Sequence, residues 1–229
     1  MIDLSAVTLT SLIFDRSPEH LVATVAAMRY MRSVAKFGHA ILFSACGFPD
    51  NGFLDAEIVQ IPPTDAAGSQ ILQLKVIPRF IRTPWMMTMH DDGFIIEPSL
   101  WKPEFLQYDF IGAPWGDGVV GNEGFSLQSK KMLWAKSRLP YTETLQADEF
   151  ICRAWKPVLE THCGIKFAPT ELALQFSTET IGNETPSLGY HGRTHSAAKH
   201  KQAWEQVAKF EHEQNSANHP ILSGSQTAG

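Results

Sequence analysis

Apolar and polar positions along the chain fall into short β-rich runs separated by longer stretches of helical spacing. Ala6–Phe14 (AVTLTSLIF) is rich in β-branched and apolar residues and predicts a buried strand. Ser17-Pro18-Glu19 is a helix start, with Ser17 as N-cap, Pro18 in the first position and an acid in the first turn. Leu21, Val22, Val25, Ala26, Met28 and Met31 then recur on one helical face to about Val34. His39–Ser44 (HAILFS) predicts a second strand. This β-α-β opening points to a parallel sheet of the nucleotide-binding kind. No GxGxxG stands in its first turn, so a nicotinamide-type dinucleotide site is not indicated.

The same reading continues along the chain. Ala45–Ala56 is turn-rich, Glu57–Ile61 a short strand, and Ser69–Ile81 a helix that Pro78 kinks or ends. Arg79 and Arg82 fall at its end, where a solvated terminus is the simpler reading and phosphate pairing the sharper one. Trp85–His90 is a strand that delivers Asp91 and Asp92 at its carboxyl end, the edge where open α/β sheets bind ligands. Phe94–Ile96 follows, then a short helix over Ser99–Gln107. Asp109–Gly112 and Phe125–Leu127 are strand-like, with a helix from Lys130 to about Arg138. Tyr141–Gln146 is loop, Asp148–His162 helical, Ile165–Ala168 a strand, and Thr170–Gln175 a helical turn with Thr170 as N-cap. Glu179–Ser187 is loop. From Ser196 the composition turns polar, which predicts a surface helix over Lys199–His212 and disorder over Ser216–Gly229.

Composition narrows the class. The chain has 229 residues, 44% hydrophobic and 19% charged, which suits one soluble α/β domain and a tail. A net charge of −5 with no basic stripe argues against a nucleic-acid partner. Cys46, Cys152 and Cys163 are odd in number and form no CxxC pair, which favours a reducing compartment over a zinc site or disulfide framework. No long apolar run and no signal peptide are visible, so a cytoplasmic location is expected, without a transmembrane segment. Nothing in the sequence sets an oligomeric state.

Two stretches carry candidate chemistry. The first is His90-Asp91-Asp92-Gly93. Adjacent carboxylates at a strand end repel unless a cation lies beside them. Oxygen ligands without a cysteine cluster favour Mg²⁺ or Mn²⁺ over zinc. The competing reading is a plain turn. The second is Asp109–Ser129 (DFIGAPWGDGVVGNEGFSLQS), with glycines at 112, 116, 118, 121 and 124. So many glycines between strands make either a floppy loop or a binding floor. Trp115, Val119, Val120 and Phe125 favour the floor, because they are costly to leave in water.

HDDGF, YDFIGAPW, GNEGFSLQSKKML, ADEFICR, KFAPTELALQFSTE and GYHG form an ordered series. The series resembles a family of unknown-function domains related to GT-A glycosyltransferases, whose pattern runs D, DYIGAPW, VGNGGFSLRS, EDVFF, A-x-x-FS-x-E and FG-x-HG. The resemblance covers about residues 5–193. Glu123 stands where the pattern has Gly, Gln128 where it has Arg, and Ala147 where it has Glu. It implies a single GT-A-like, Rossmann-like domain over residues 1–195, with a mixed, mostly parallel central sheet and helices on both faces. Residues 196–229 would form the polar helix and tail.

The resemblance also implies an enzyme: a metal-dependent glycosyltransferase, inverting in the expected case. It would move a sugar from a nucleotide-sugar donor, UDP-linked in the first instance, to a glycan or other hydroxyl acceptor. Asp92 matches the family's metal-binding acid, with Asp91 as a second ligand or a ribose contact. His191 resembles the late His that completes the Mn²⁺ or Mg²⁺ site in related enzymes; a structural His is the alternative. Asp148 matches the acid that would serve as base, with Glu149 beside it, and a helix start would keep Asp148 ionised. An ordinary cap is the alternative. Thr10, Ser11 and Ser44 would face the nucleotide base, or else cap strands. Gly121, Asn122, Gly124 and Phe125 would line the donor sugar, and Trp115 would stack on a sugar face. Two other classes stay open: a metal-dependent nucleotidyltransferase or phosphohydrolase, and a non-catalytic sugar- or nucleotide-binding domain.

Overall fold

The computed structural model describes residues 1–47, 54–142, 144–182, 184–192 and 201–222, with side chains to residue 216. Strand β1 (Ile2–Ile13) leads into α1 (Pro18–Val34), which Ser17 caps by accepting the His20 N–H. β2 (Ala35–Ser44) and β3 (Glu57–Gln60) follow, then β4 (Trp85–Thr88), β5 (Gly93–Ile95), β6 (Phe110–Gly112) and β7 (Ser126–Ser129). Six of these make one sheet in the order β3-β2-β1-β4-β7-β6. β1 to β4 run parallel, and β7 runs against both β4 and β6. A second, small sheet joins β5, β9 (Gly189–His191) and β8 (Ser177–Thr178).

Alternation along the strands explains why both faces of the main sheet are covered. Ala40 and Leu42 of β2 and Met87 of β4 pack with Val25 and Met28 of α1. Ile41, Phe43 and Met86, one position over, pack with Ile77, Ile81 and Leu133 on the other side. Successive residues of a strand face opposite ways, so a strand apolar at every position needs a layer on each side. Each such fully buried side chain contributes about 1.5–3 kcal/mol.

Several elements differ from the sequence reading. The helix expected over Ser69–Ile81 begins earlier, as α2 (Ala66–Ile71), because Asp65 accepts the Gly68 N–H and caps it. Its turns widen over Leu72–Val76 and end in a tight turn at Ile77–Arg79, where Pro78 has no N–H to give. Ser99–Gln107 is two separate turns, each opened by a proline, Pro98 and Pro103. α3 (Lys130–Arg138) matches its expected span and is capped by Ser129. The Asp148–His162 helix is broken into α4 (Ala147–Glu149), a wide turn over Phe150–Ala154, and α5 (Lys156–Cys163). Ile165–Ala168 is not a strand: only Phe167 bridges to Phe110, between Gly164 and Pro169, and the run is too short to pair further. α6 (Thr170–Phe176) is preceded by Pro169 as N-cap, while the Thr170 hydroxyl is occupied with the Gly118 carbonyl.

The C-terminal helix also differs. It runs from Lys201 to Leu222, past the point where disorder was expected, and it is docked rather than merely superficial. Ala203 and Val207 are buried in the main core. Arg29 of α1 lies 4.5 Å over the Phe210 ring and pairs with Glu213 at 3.0 Å. Trp204 sits edge-on to Phe94 at 5.2 Å, and Phe94 meets Tyr190 at 5.3 Å and Tyr30 at 5.6 Å. The domain boundary expected near residue 196 and the tail beyond 222 lie outside the described residues. Among those described, no helix is long and apolar enough to cross a membrane.

Phe94 is fully buried and joins α1, the small sheet and the C-terminal helix. Phe94→Ala is therefore expected to lower stability by about 3–5 kcal/mol. Urea unfolding should show this as a lower midpoint at an unchanged slope.

Candidate active site

The chain leaves β4 through a tight reversal. His90 and Gly93 exchange both backbone hydrogen bonds at 3.2 Å, so Asp91 and Asp92 form the two-residue tip of a hairpin. Gly93 then pairs with His191, and the Gly192 N–H donates to the Asp92 carbonyl at 2.8 Å. This pairing brings together side chains a hundred residues apart. His191 Nε2 lies 3.6 Å from Asp92 Oδ1, and the His90 and His191 rings meet edge to face at 5.3 Å. One ligand atom each from His90, Asp92 and His191 lie within 4.8 Å of one another.

The two imidazoles are shifted in opposite directions. Burial, helped by the neighbouring His191, pushes His90 down to about 4, so its imidazole is neutral at pH 7 with a lone pair to offer. Burial alone would lower His191 as well. A hydrogen bond to Glu179, with the charges of Asp92 and Glu179, overcomes burial and raises it. Its Nδ1 lies 3.0 Å from Glu179 Oε1. With Nδ1 turned to Glu179, Nε2 faces Asp92, so a proton or a cation between them relieves the pair. A carboxylate behind a ligating imidazole orients the ring in this way. Gly124 makes room for it: a Cβ at that position would stand 2.2 Å from His191 Nε2. The donor set of two imidazoles and one carboxylate fits Mn²⁺ or a similar transition ion better than Mg²⁺, which prefers oxygen.

His90, His191 and Gly124 border a cleft of about 340 Å³ at the carboxyl ends of β1 and β4. Ser11 and Leu12 line one side, Gln70 and Gln73 of the α2 run another, and Asn122–Gly124 with Asp148 the floor. The glycine-rich segment is therefore not floppy. Pro114 bridges to Val120 and the Gly118 N–H donates to the Trp115 carbonyl, making a closed hairpin. Asn122 follows with a left-handed φ of 58°.

The sequence-predicted residues divide between this cleft and other places. His191, Ser11, Asn122, Gly124 and Asp148 line it, while Asp92 is not part of the lining and adjoins it through His90 and His191. Asp91, on the other side of the hairpin tip, points toward His20 at 3.9 Å and a neighbouring groove with Glu211. Thr10 is buried and donates to the Met87 carbonyl. Ser44 caps its own strand end by accepting the Cys46 N–H. Phe125 is in the core, stacked on Phe176 at 5.0 Å. Trp115 covers Gly121, where a Cβ would meet the indole at 2.1 Å, and carries Arg153 at 4.4 Å from its ring centroid. Glu149 is outside the cleft lining; its N–H donates to Asp148 Oδ1 at 2.8 Å. The helix start was expected to hold the Asp148 carboxyl low; its pKa instead moves upward. Burial raises its carboxyl, with Glu123 next in effect, and a single-turn helix is too short to offset that.

Sequence reasoning missed two things. His90 was passed over for the acids beside it, although a hairpin tip at Asp91-Asp92 puts His90 and Gly93 opposite each other. The second is how Glu123 is held. Glu123 and Lys136 are buried, and Lys136 Nζ donates to Glu123 Oε1 at 2.5 Å. Gln128 Nε2 donates to the same oxygen at 2.7 Å. Two of the three departures from the family pattern, Glu123 and Gln128, thus bond to each other. Lys136→Met would strand the Glu123 carboxylate under the cleft without its cation. A loss of about 3–5 kcal/mol is expected on breaking such a buried pair. Thermal unfolding checks this, and the Lys136→Met/Glu123→Gln double variant should recover part of the loss.

The fold is GT-A-like. A glycosyltransferase involved in glycosylation of the major capsid of the virus PBCV-1 superposes with a TM-score of 0.51 at 13% identity, over 90% of this chain and 98% of that one. The galactosyltransferase LgtC, solved with donor and acceptor sugar analogs, gives 0.50 at 11%, over 88% and 95%. The apo form of the glycosyltransferase GlyE of Streptococcus pneumoniae TIGR4 gives 0.50 at 11%, over 92% of this chain and 63% of that one. No curated protein matches the chain in sequence. Residues 69–191, more than half of the chain, match the family described as protein of unknown function (DUF5672), and the chain belongs to that family.

Proposed function

We propose that this protein is a metal-dependent glycosyltransferase that takes a nucleotide-sugar, in the first instance a UDP-sugar, and transfers the sugar to a hydroxyl acceptor, a glycan in the expected case. The observation that carries the proposal is the His90, Asp92 and His191 trio, two of whose members, His90 and His191, line a cleft at the sheet edge where α/β folds take ligands. A divalent cation held there supplies Lewis-acid stabilisation of the departing diphosphate. His90, Asp92 and His191 hold that cation, and Glu179 fixes the His191 tautomer. Ser11 lies toward the nucleotide side. Asn122 and Gly124, with the backbone around Gly121, form the sugar floor. Asp148 accepts the proton of the acceptor hydroxyl, with Glu149 as its neighbour. A base poised closer to neutrality than an ordinary carboxyl transfers protons more effectively at working pH. The C-terminal helix belongs to the catalytic unit, because Trp204 packs behind Phe94 and thus behind the hairpin of Asp92.

Two outcomes are expected. UDP should raise the melting temperature only with Mn²⁺ present, by about 2.7 kcal/mol at 100 times Kd, which is several degrees for a chain of this length. Asp92→Asn should remove that increment; a response to nucleoside triphosphates alone would favour nucleotidyl transfer instead. Asp148→Asn should keep UDP–Mn²⁺ binding and lower turnover by about 10²–10⁴-fold. Because Asp148 must be ionised to act and its pKa is raised, the acid limb of the kcat/KM profile should lie above the ordinary carboxylate range.

A further inference from the structure

The outer face of α3 is unlike the rest of this acidic chain. The helix turns Met132, Leu133 and Lys136 inward and leaves Lys130, Lys131, Trp134 and Arg138 exposed. Arg79 and Arg82, exposed at the end of the α2 run, come up beside it. Arg79, Arg82, Lys130, Trp134 and Arg138 line one shallow groove of about 540 Å³, based on Pro78 and Ile81, and no acid lines it. The sequence explains that purity: neither residues 66–90 nor residues 124–142 contain an Asp or Glu. Among the described residues, Arg79, Arg82 and Arg138 have no carboxylate partner. Lys130 bonds to the Arg82 carbonyl at 3.3 Å, and Lys131 alone reaches an acid, Asp109 at 3.5 Å. At the centre stands Trp134, 55% exposed, with the Arg138 guanidinium 4.3 Å from its ring centroid.

We infer that this face docks the protein on an anionic phospholipid bilayer. Arg79, Arg82, Lys130 and Arg138 meet the headgroup phosphates, and the Trp134 indole seats at the interfacial depth. A tryptophan ringed by Lys and Arg is the side-chain combination that membrane interfaces favour. Charge complementarity is local: four exposed cations line one groove of a chain whose net charge is −5. That balance selects against a long polyanion such as RNA, which would extend beyond the patch along a chain of net negative charge. The patch spans only a nine-residue helix and one turn. None of its residues lines the active cleft, so docking leaves the cleft open. The cations come from two separate segments, which is why no basic stripe is visible along the sequence.

The test is flotation of the full chain with vesicles of phosphatidylcholine alone and of phosphatidylcholine mixed with phosphatidylglycerol. Binding to the anionic vesicles only, weakened by salt, is expected. The Arg79→Glu/Arg82→Glu double variant should lose more than about tenfold in affinity. Trp134→Ala should also weaken binding, with its charge unchanged. All these positions are exposed, so melting temperatures should stay at the wild-type value. Absence of binding to phosphatidylglycerol vesicles would overturn the inference, as would binding that survives the charge reversal. So would a patch that instead binds a single-stranded RNA oligonucleotide and loses it in the same variants.

Discussion

The antiparallel pairing of Gly93–Ile95 with Gly189–His191 is the contact on which the site depends. Without it, Asp92 is the tip of a solvent-facing hairpin and His191 belongs to a distant loop. With it, the Asp92 carboxylate and His191 Nε2 stand 3.6 Å apart beside a neutral imidazole. Such a cluster is unfavourable until a cation or a proton fills it. The pairing is fixed from behind by apolar contact. Phe94 and Tyr190, each adjacent in sequence or nearly so to a ligand, lock against Trp204 of the C-terminal helix and Tyr30 of α1. The core therefore sets the geometry of the polar cluster in front of it.

A second constraint shapes the cleft floor. The Asn122-Glu123-Gly124 corner needs a left-handed residue, a buried carboxylate and a position without a side chain in succession. Glu123 is held by Lys136 and Gln128 beneath the floor, and its charge in turn helps raise Asp148 across the cleft. Substitution at Lys136 would thus be felt in the chemistry of Asp148, although Lys136 never reaches the cleft surface.

Much of the framework was legible in the sequence. Ser17-Pro18 marked the start of α1, the β-rich runs marked β1 and β2, and the Lys130–Arg138 span marked α3, because caps and short-range patterns act locally. Helices interrupted by wide turns were not legible, since tertiary packing sets where a turn relaxes. The C-terminal helix reads as polar from composition. Only three-dimensional contact shows Ala203, Trp204 and Val207 on one docked stripe. For the same reason the juxtaposition of His90 with His191, the Glu123–Lys136 pair and the basic face of α3 were hidden. Each joins residues from separate elements whose approach is decided by strand register and helix packing. Thr10, Ser44, Phe125 and Trp115 illustrate the converse. Motif position made them candidates, but the register of β1 and the closure of the Pro114–Val120 hairpin turn them to structural tasks.

The account stands on one cation bound among three side chains. An anomalous difference map from a crystal grown with UDP and MnCl₂ tests this most directly. It should show a single manganese peak bounded by His90, Asp92 and His191, next to the diphosphate in the cleft. Manganese beside Asp91 and His20, or UDP bound in the cleft with no metal at those three residues, would contradict it.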